Sequence, residues 1–220
     1  MAKEKENRTE LSELGEFGLI DLLTKHIKIK QPGTMKGVGD DAAVIDGSDK
    51  FMLVTTDLLI EGVHFDMTYT PLKHLGYKAA VVNFSDIVAM NGKPTQITVS
   101  ISVSNRYSLE SLEELYSGIQ LACEKYKVDL VGGDTSASVT GLCISITAIG
   151  TALSKEIVYR GGAKNNNLIC VTGDLGAAFM GLKVLEREKK LFEEDSEIQP
   201  ELGGYDYIVG RFLKPDPRVD

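Results

Sequence analysis

The chain has 220 residues, 43% hydrophobic and 25% charged, with a formal net charge of −8. This is globular composition, enough for one large domain or two modest ones. The acidic balance argues against a nucleic-acid backbone as main partner, because phosphate recognition by side chains needs an excess of Lys and Arg; nucleotides stay open, since a bound metal reverses the local sign.

The opening MAKEKENRTE carries no apolar signal-peptide core, and no apolar run approaches membrane-spanning length. Residues 1–12 read as a solvated, flexible tail. From Glu13 to Lys28, Phe17, Ile20, Leu23 and Ile27 recur at helical spacing and predict an amphipathic helix. QPGTMKGVG reads as a loop. AAVID and FMLVTTD read as short strands, with LLIEGVHFD a strand or an extended continuation. Thr70 as N-cap and Pro71 at the first helical position predict a helix to about Met90. ITVSISVS, residues 97–104, alternates as a half-buried strand does. Ser108 is expected to cap a helix through about Tyr126. VDLVGG reads as a short buried strand and GLCISITAIGTAL as a long alternating one. YRGGAKNNN is a polar linker, LICVTG a strand, and GAAFMGLKVLEREKK a helix after a glycine turn.

Alternating strands and helices make the class α/β (α+β). The composition shift near residues 154–167 marks the best boundary, which divides the chain into 13–152 and 153–220. One strand, one helix and a short amphipathic piece after Leu168 are thin for an independent domain, so the second is expected to be incomplete. Cys123, Cys143 and Cys170 are widely spaced, without a CxxC, and read as reduced, buried thiols of a cytoplasmic protein.

The chemistry concentrates in acids. GVGDDA formally matches GxGxxA, but a dinucleotide fingerprint needs a strand before it and a helix after it, and two aspartates would repel a bare pyrophosphate. A lone Asp pair in a glycine turn is also compatible with solvated surface acids. Three further acids weaken that bland reading. Asp57 follows FMLVTT at an expected strand end. On the helix from Pro71 the apolar stripe is Leu72, Leu75, Ala79 and Val82, and the next position on it is Asp86. A carboxylate facing a core is costly unless paired or metal-bound, and a structural ion pair is the alternative there. Asp134 follows an apolar strand and two glycines. Asp41, Asp57, Asp86 and Asp134 form an oxygen-only donor set of the kind that takes a hard cation such as Mg2+. Arg160, between Tyr159 and two glycines, offers a forked phosphate contact or is a plain linker charge. His64 stands alone and reads from spacing as a packing residue. There is no P-loop and no protein-kinase motif set.

GEFGLIDLL, GVGDDAAV, LVTTDLLIEGVHF, GYKAAVVNFSDIVAMNGKP, VGGDT, YRGGAK, VTGDLGAAFMGL and FLKPDPR follow one another in order. Together they resemble the thiamine-monophosphate kinases, within the aminoimidazole ribonucleotide synthetase-like superfamily of ATP-binding enzymes. The resemblance implies a two-domain α/β fold. It also implies in-line transfer of the ATP γ-phosphoryl group to thiamine phosphate, giving thiamine diphosphate, with several Mg2+ ions and no strong general base. It places metal ligands at Asp41, Thr55, Thr56, Asp57, Asp86 and Asp134, with Asp40 a weaker candidate. Nucleotide contacts fall at Tyr116, Gly133, Asp134 and Arg160, and a substrate contact at His64. It implies a homodimer formed by first-domain strands, with no membrane or nucleic-acid partner. The family's SDGL-type and GEDYEL-type motifs do not occur here, so weak Mg-nucleotide binding without turnover is expected of this stretch alone. Open alternatives are a non-catalytic nucleotide-binding dimerisation module and another ATP-using synthetase of the superfamily.

Overall fold

The computed structural model describes residues 11–219. Helix α1 spans Leu11–Thr24, followed by strands β1 (Thr34–Lys36), β2 (Ala43–Asp46) and β3 (Phe51–Ile60). Helix α2 (Leu72–Ala89) leads to β4 (Lys93–Val103), then α3 (Leu109–Tyr126), β5 (Asp129–Ala137) and β6 (Cys143–Ala152). Helices α4 (Ala177–Glu194) and α5 (Asp206–Leu213) complete the described chain.

The strands form one sheet in the order β1-β2-β3-β6-β4-β5. Only the β4–β5 pair is parallel. β6 is antiparallel to both β3 and β4, so those two strands run in the same direction with β6 between them. Parallel strands need a crossover connection, and α2 and α3 supply it. Leu53, Leu59, Ile97, Val99, Ile144, Ile146 and Ala148 alternate inward from the sheet to meet Leu75, Ala79, Phe84 and Ile87 of α2 and Leu115 and Ile119 of α3 in one buried cluster. Each large side chain buried there contributes about 1.5–3 kcal/mol.

The two helices touch backbone to backbone. A Cβ added at Gly76 would lie 1.9 Å from the Leu115 carbonyl oxygen, and one added at Gly118 would lie 1.9 Å from that of Lys73. Ser108 caps α3 by accepting from the Ser111 N–H. Pro71, not Thr70, stands at the N-cap of α2, without a side-chain cap, and the buried Thr70 hydroxyl has no partner among the described residues.

Several elements differ from the sequence reading. Residues 1–10 of the expected tail lie outside the described residues, but Leu11 and Ser12 are already helical. The first helix kinks at Gly15 and stops at Thr24 instead of reaching Lys28. The loop QPGTMKGVG contains β1, a three-residue strand whose only signal is its pairing with β2. LLI prolongs β3, whereas EGVHFD turns back on itself. Asp57 and Asp134 therefore lie within strands, not at strand ends. β5 is exposed along its whole length, contrary to the buried strand expected, because α3 packs mainly on α2 and leaves it uncovered. LICVTG forms no strand: no neighbouring strand among the described residues takes its backbone hydrogen bonds, and Leu168 and Ile169 are 90% and 96% exposed. Cys123 is buried as expected, but Cys143 is half-buried and Cys170 exposed.

Residues 153–176 carry no helix or strand. α4 and α5 then bury Val184, Leu185, Val209 and Leu213 against each other, with Tyr69 packed on them. Lys189 bonds Asp66 at 2.6 Å, and Asp216 accepts from Lys125 at 2.8 Å, from Tyr126 at 3.2 Å and from Tyr77.

Gly118→Ala is expected to destabilise the protein by about 1–3 kcal/mol, the usual cost of overpacking, because α2 and α3 must separate to admit the methyl group. A urea-unfolding midpoint equal to wild type would contradict this packing.

Candidate magnesium and phosphate site

The site lies on the seam between α2 and β3, where the GVGDD turn and the linker after β6 come together. On the sheet face that meets the helices, β3 presents Leu53, Thr55, Asp57 and Leu59 in alternation. α2 presents Ala79, Asn83 and Asp86 at spacings of four and three residues, which puts them on one face of the helix. The Thr55 hydroxyl donates to Asp86 Oδ2 at 3.0 Å. The Asp57 N–H donates to Asn83 Oδ1 at 3.0 Å.

Asp41 enters from the loop before β2, where Gly39 takes a φ of 110° that a side chain would strain. The following residue, Ala42, is buried with its N–H 3.1 Å from the Met90 sulfur, which ties the turn to the end of α2. Arg160 returns from the linker to the same turn. Its backbone N–H donates to Asp40 Oδ1 at 3.0 Å, and its guanidinium pairs with Asp41.

The electrostatics follow from this crowding. Burial pushes the Asp86 carboxyl up to about 6, and the like charges of Asp57 and Asp41 act in the same direction, against the Thr55 hydrogen bond and the Arg160 charge. Burial also raises Asp57, opposed by His64. Asp86 thus feels the charges of both Asp57 and Asp41. No three His, Cys, Asp or Glu side chains among the described residues stand close enough as they are to enclose a metal ion, and the Arg160 guanidinium supplies the neighbouring positive charge.

The remaining sequence-chosen residues lie elsewhere. His64 sits on the turn after β3, accepting at Nδ1 from the Ile60 N–H at 3.0 Å. It lines a cavity of about 480 Å³ shared with Asp66, Tyr69, Lys189 and Phe212. Thr56 points to the opposite face of the sheet, where its hydroxyl donates to the Ile146 carbonyl at 3.2 Å and accepts from Thr147 at 3.1 Å. Asp134 is on that opposite face too: it pairs with Ser100, which pairs with Ser145, which pairs with Leu58. Three strand spacings, roughly 14 Å, separate β5 from β3. Gly133 faces the helices, and a Cβ there would lie 1.8 Å from the Val99 carbonyl oxygen, so glycine is what lets β5 approach β4. Tyr116 packs half-buried on the core from α3, and no hydrogen bond among the described residues joins it to the acids. Asn83, wholly buried beneath Asp57, was not singled out from the sequence; its signal is a polar residue one helical turn before Asp86 on the buried face.

A family model for the AIR synthase related protein, N-terminal domain, matches residues 39–152, over half of the chain. The chain belongs to the AIR synthase related protein family. The match spans β2 to β6 and therefore every acid named above. A thiamine-monophosphate kinase from Buchnera aphidicola (strain Sg) is 38% identical over 210 residues, covering 94% of this chain and 61% of that protein. One from Aquifex aeolicus is 37% identical over 210 residues, covering 96% and 62%. The chain thus spans about three-fifths of the length of these curated relatives. A solved structure described as AaThiL complexed with AMPPCP and TMP matches with a TM-score of 0.77 at 36% identity, covering 98% of this chain and 63% of that one. The α/β fold of this AIR synthase related chain is shared with that structure.

A raised folded-state pKa means that the fold binds the Asp86 proton more tightly than the unfolded chain does. Ionised Asp86 therefore costs stability above about pH 6, and the cost fades as pH falls toward the ordinary Asp value of about 4. Asp86→Asn is expected to raise the metal-free melting temperature at pH 8 and to lose that advantage by pH 4. An equal shift at both pH values would contradict the assignment.

Proposed function

We propose that the chain is the nucleotide- and metal-binding part of a thiamine-monophosphate kinase, which transfers the γ-phosphoryl group of ATP to thiamine monophosphate and forms thiamine diphosphate. The observation that carries this reading is the acid seam of Asp41, Asp57 and Asp86 beside Arg160, in a chain 36% identical to a solved protein described with AMPPCP and TMP bound. The relatives' names and that protein's ligands, with TMP read as thiamine monophosphate, support the choice of donor and acceptor.

The donor chemistry of these residues suits Mg2+, and the carboxylates would draw together around it. Three carboxylates and the Thr55 hydroxyl are hard oxygen donors, the kind this ion prefers, and the like charges of Asp57 and Asp41 at Asp86 favour a cation there. Asp41, Asp57, Asp86 and Thr55 would hold it. Bound there, Mg2+ would neutralise phosphate oxygens during transfer. Arg160 serves as the phosphate-binding side chain, using the planar guanidinium that now pairs with Asp41. His64, which lines the 480 Å³ cavity, is the substrate-side residue. The attacking group is a phosphate oxygen that is already ionised, so the chain needs to position and neutralise charge more than to move a proton.

The further metal and nucleotide contacts proposed at Thr56, Gly133, Asp134 and Tyr116 stand apart from this seam, Thr56 and Asp134 on the outer sheet face. No described helix covers the outer sheet face that carries Thr56 and Asp134, and it exposes Leu58 and Ile60 beside Thr147. A homodimer through this face fits its apolar and hydroxyl mixture and the free edge of β5. The division into residues 13–152 and 153–220 fits the separate buried clusters on either side of the linker. No described helix is long and apolar enough to cross a membrane, and the cysteines are unpaired, which fits a reducing compartment such as the cytoplasm.

Calorimetric titration with AMPPCP tests the reading. Binding is expected to require Mg2+ and to weaken at least tenfold in Asp57→Asn, while light scattering of the same sample gives the mass of a dimer. Equally tight binding with and without Mg2+ would sink the metal-phosphate assignment, and a monomer mass at the titration concentration would sink the dimer.

A further inference from the structure

We infer that Asn83 is a positioning residue for the acid seam: its buried side-chain amide clamps the Asp57 backbone to α2 and so sets where the Asp57 carboxylate stands relative to Asp86. The inference rests on the magnesium–nucleotide reading above and extends it to a residue that is not itself a metal donor in that reading.

Four observations carry it. Asn83 is 0% exposed, and both ends of its amide are engaged. Oδ1 accepts from the Asp57 N–H at 3.0 Å, and Nδ2 donates to the Ala79 carbonyl at 3.0 Å. That network fixes the amide's orientation, because the flipped amide would set oxygen against oxygen at Ala79 and donor against donor at Asp57. Second, among the described residues only two hydrogen bonds join α2 to β3: Asn83 to Asp57, and Thr55 to Asp86. The partners are three residues apart on the helix and two apart on the strand, so the two bonds lie side by side along one seam. Third, Asp57 and Asp86 face the seam from opposite sides, one on β3 and one on α2, so their separation follows the spacing of the two elements, which these two bonds hold.

The fourth observation is what surrounds Asn83. Its neighbours on the helix, Ala79, Ala80, Phe84 and Ile87, are buried and apolar. A leucine has the same branching but is bulkier, and it would leave the Asp57 N–H without its partner, so it would disturb both the packing and the position of the strand. What no apolar residue supplies there is the bond to Asp57. Residues that hold metal ligands in place typically change metal affinity about 10–100-fold when removed.

The test separates position from packing. The Mg2+ concentration for half-maximal AMPPCP binding is measured by calorimetry in wild type, Asn83→Leu, Asn83→Ala and Leu75→Ala, each well below its own melting temperature. Leu75 is buried on the same helix and makes no polar bond to the seam, so Leu75→Ala reports loss of packing alone. The Mg2+ requirement is expected to rise about 10–100-fold in both Asn83 variants, and both are expected to melt lower than wild type without metal. Leu75→Ala is expected to melt lower but keep the wild-type Mg2+ requirement. A wild-type requirement in Asn83→Leu, or the same rise in Leu75→Ala, would overturn the inference while leaving the magnesium site standing. Mg2+-independent binding by the wild-type chain would instead remove the site and this inference with it.

Discussion

The proposed site depends on one electrostatic constraint: on a partly buried seam, the charges of Asp57 and Asp41 act on the Asp86 carboxylate. Like charges removed from water repel strongly and favour protonation, and Asp86 shows it in a carboxyl pushed up to about 6. A fold keeps such an arrangement only if other interactions over-determine it. Here the apolar contact of α2 with the sheet supplies the rigidity, and the Thr55–Asp86 and Asn83–Asp57 bonds supply the register. Arg160 supplies charge balance, reaching the GVGDD turn from the linker beyond β6. The close backbone contact of α2 and α3 at Gly76 and Gly118 then fixes the helix that carries half of the site.

The sheet divides the acids by face. Because side chains alternate along a strand, Thr55 and Asp57 meet the helices, while Thr56 between them joins Thr147 on the outer surface. Asp134 falls on that outer surface as well, three strands away from Asp57. In this chain the acid seam is thus the work of β3, α2 and two loops. The outer face, with its threonines and serines and the exposed β5, is a second surface that no described helix covers.

The parts of this arrangement readable from sequence are those with a local physical signature. The stripe Leu72, Leu75 and Ala79 pointed to Asp86 as a carboxylate on a buried helix face, because helical periodicity is local. Ser108 announced α3 through its capping chemistry, and the alternation in β4 and β6 announced half-buried strands. The unreadable parts depend on partners distant in sequence. Insertion of β6 between β3 and β4 decides which residues lie across from Asp57, and nothing in FMLVTTD encodes it. VDLVGG looks apolar enough for a core, yet α3 turns toward α2 and leaves it uncovered. LICVTG has strand composition without a strand beside it. Asn83 escaped notice because an amide in an apolar helix gains meaning only once the Asp57 N–H lies 3.0 Å away.

The central claim is that Asp41, Asp57 and Asp86 enclose divalent cations when a nucleotide is bound. Crystals of the chain grown with AMPPCP and Mn2+, a scatterer that occupies Mg2+-type oxygen sites, test it directly through anomalous difference maps. The account predicts manganese density bounded by these three carboxylates, with the Arg160 guanidinium turned from Asp41 toward a phosphate. Density at some other place on the chain, or AMPPCP bound with the Arg160–Asp41 pair intact and no manganese at the seam, would contradict it.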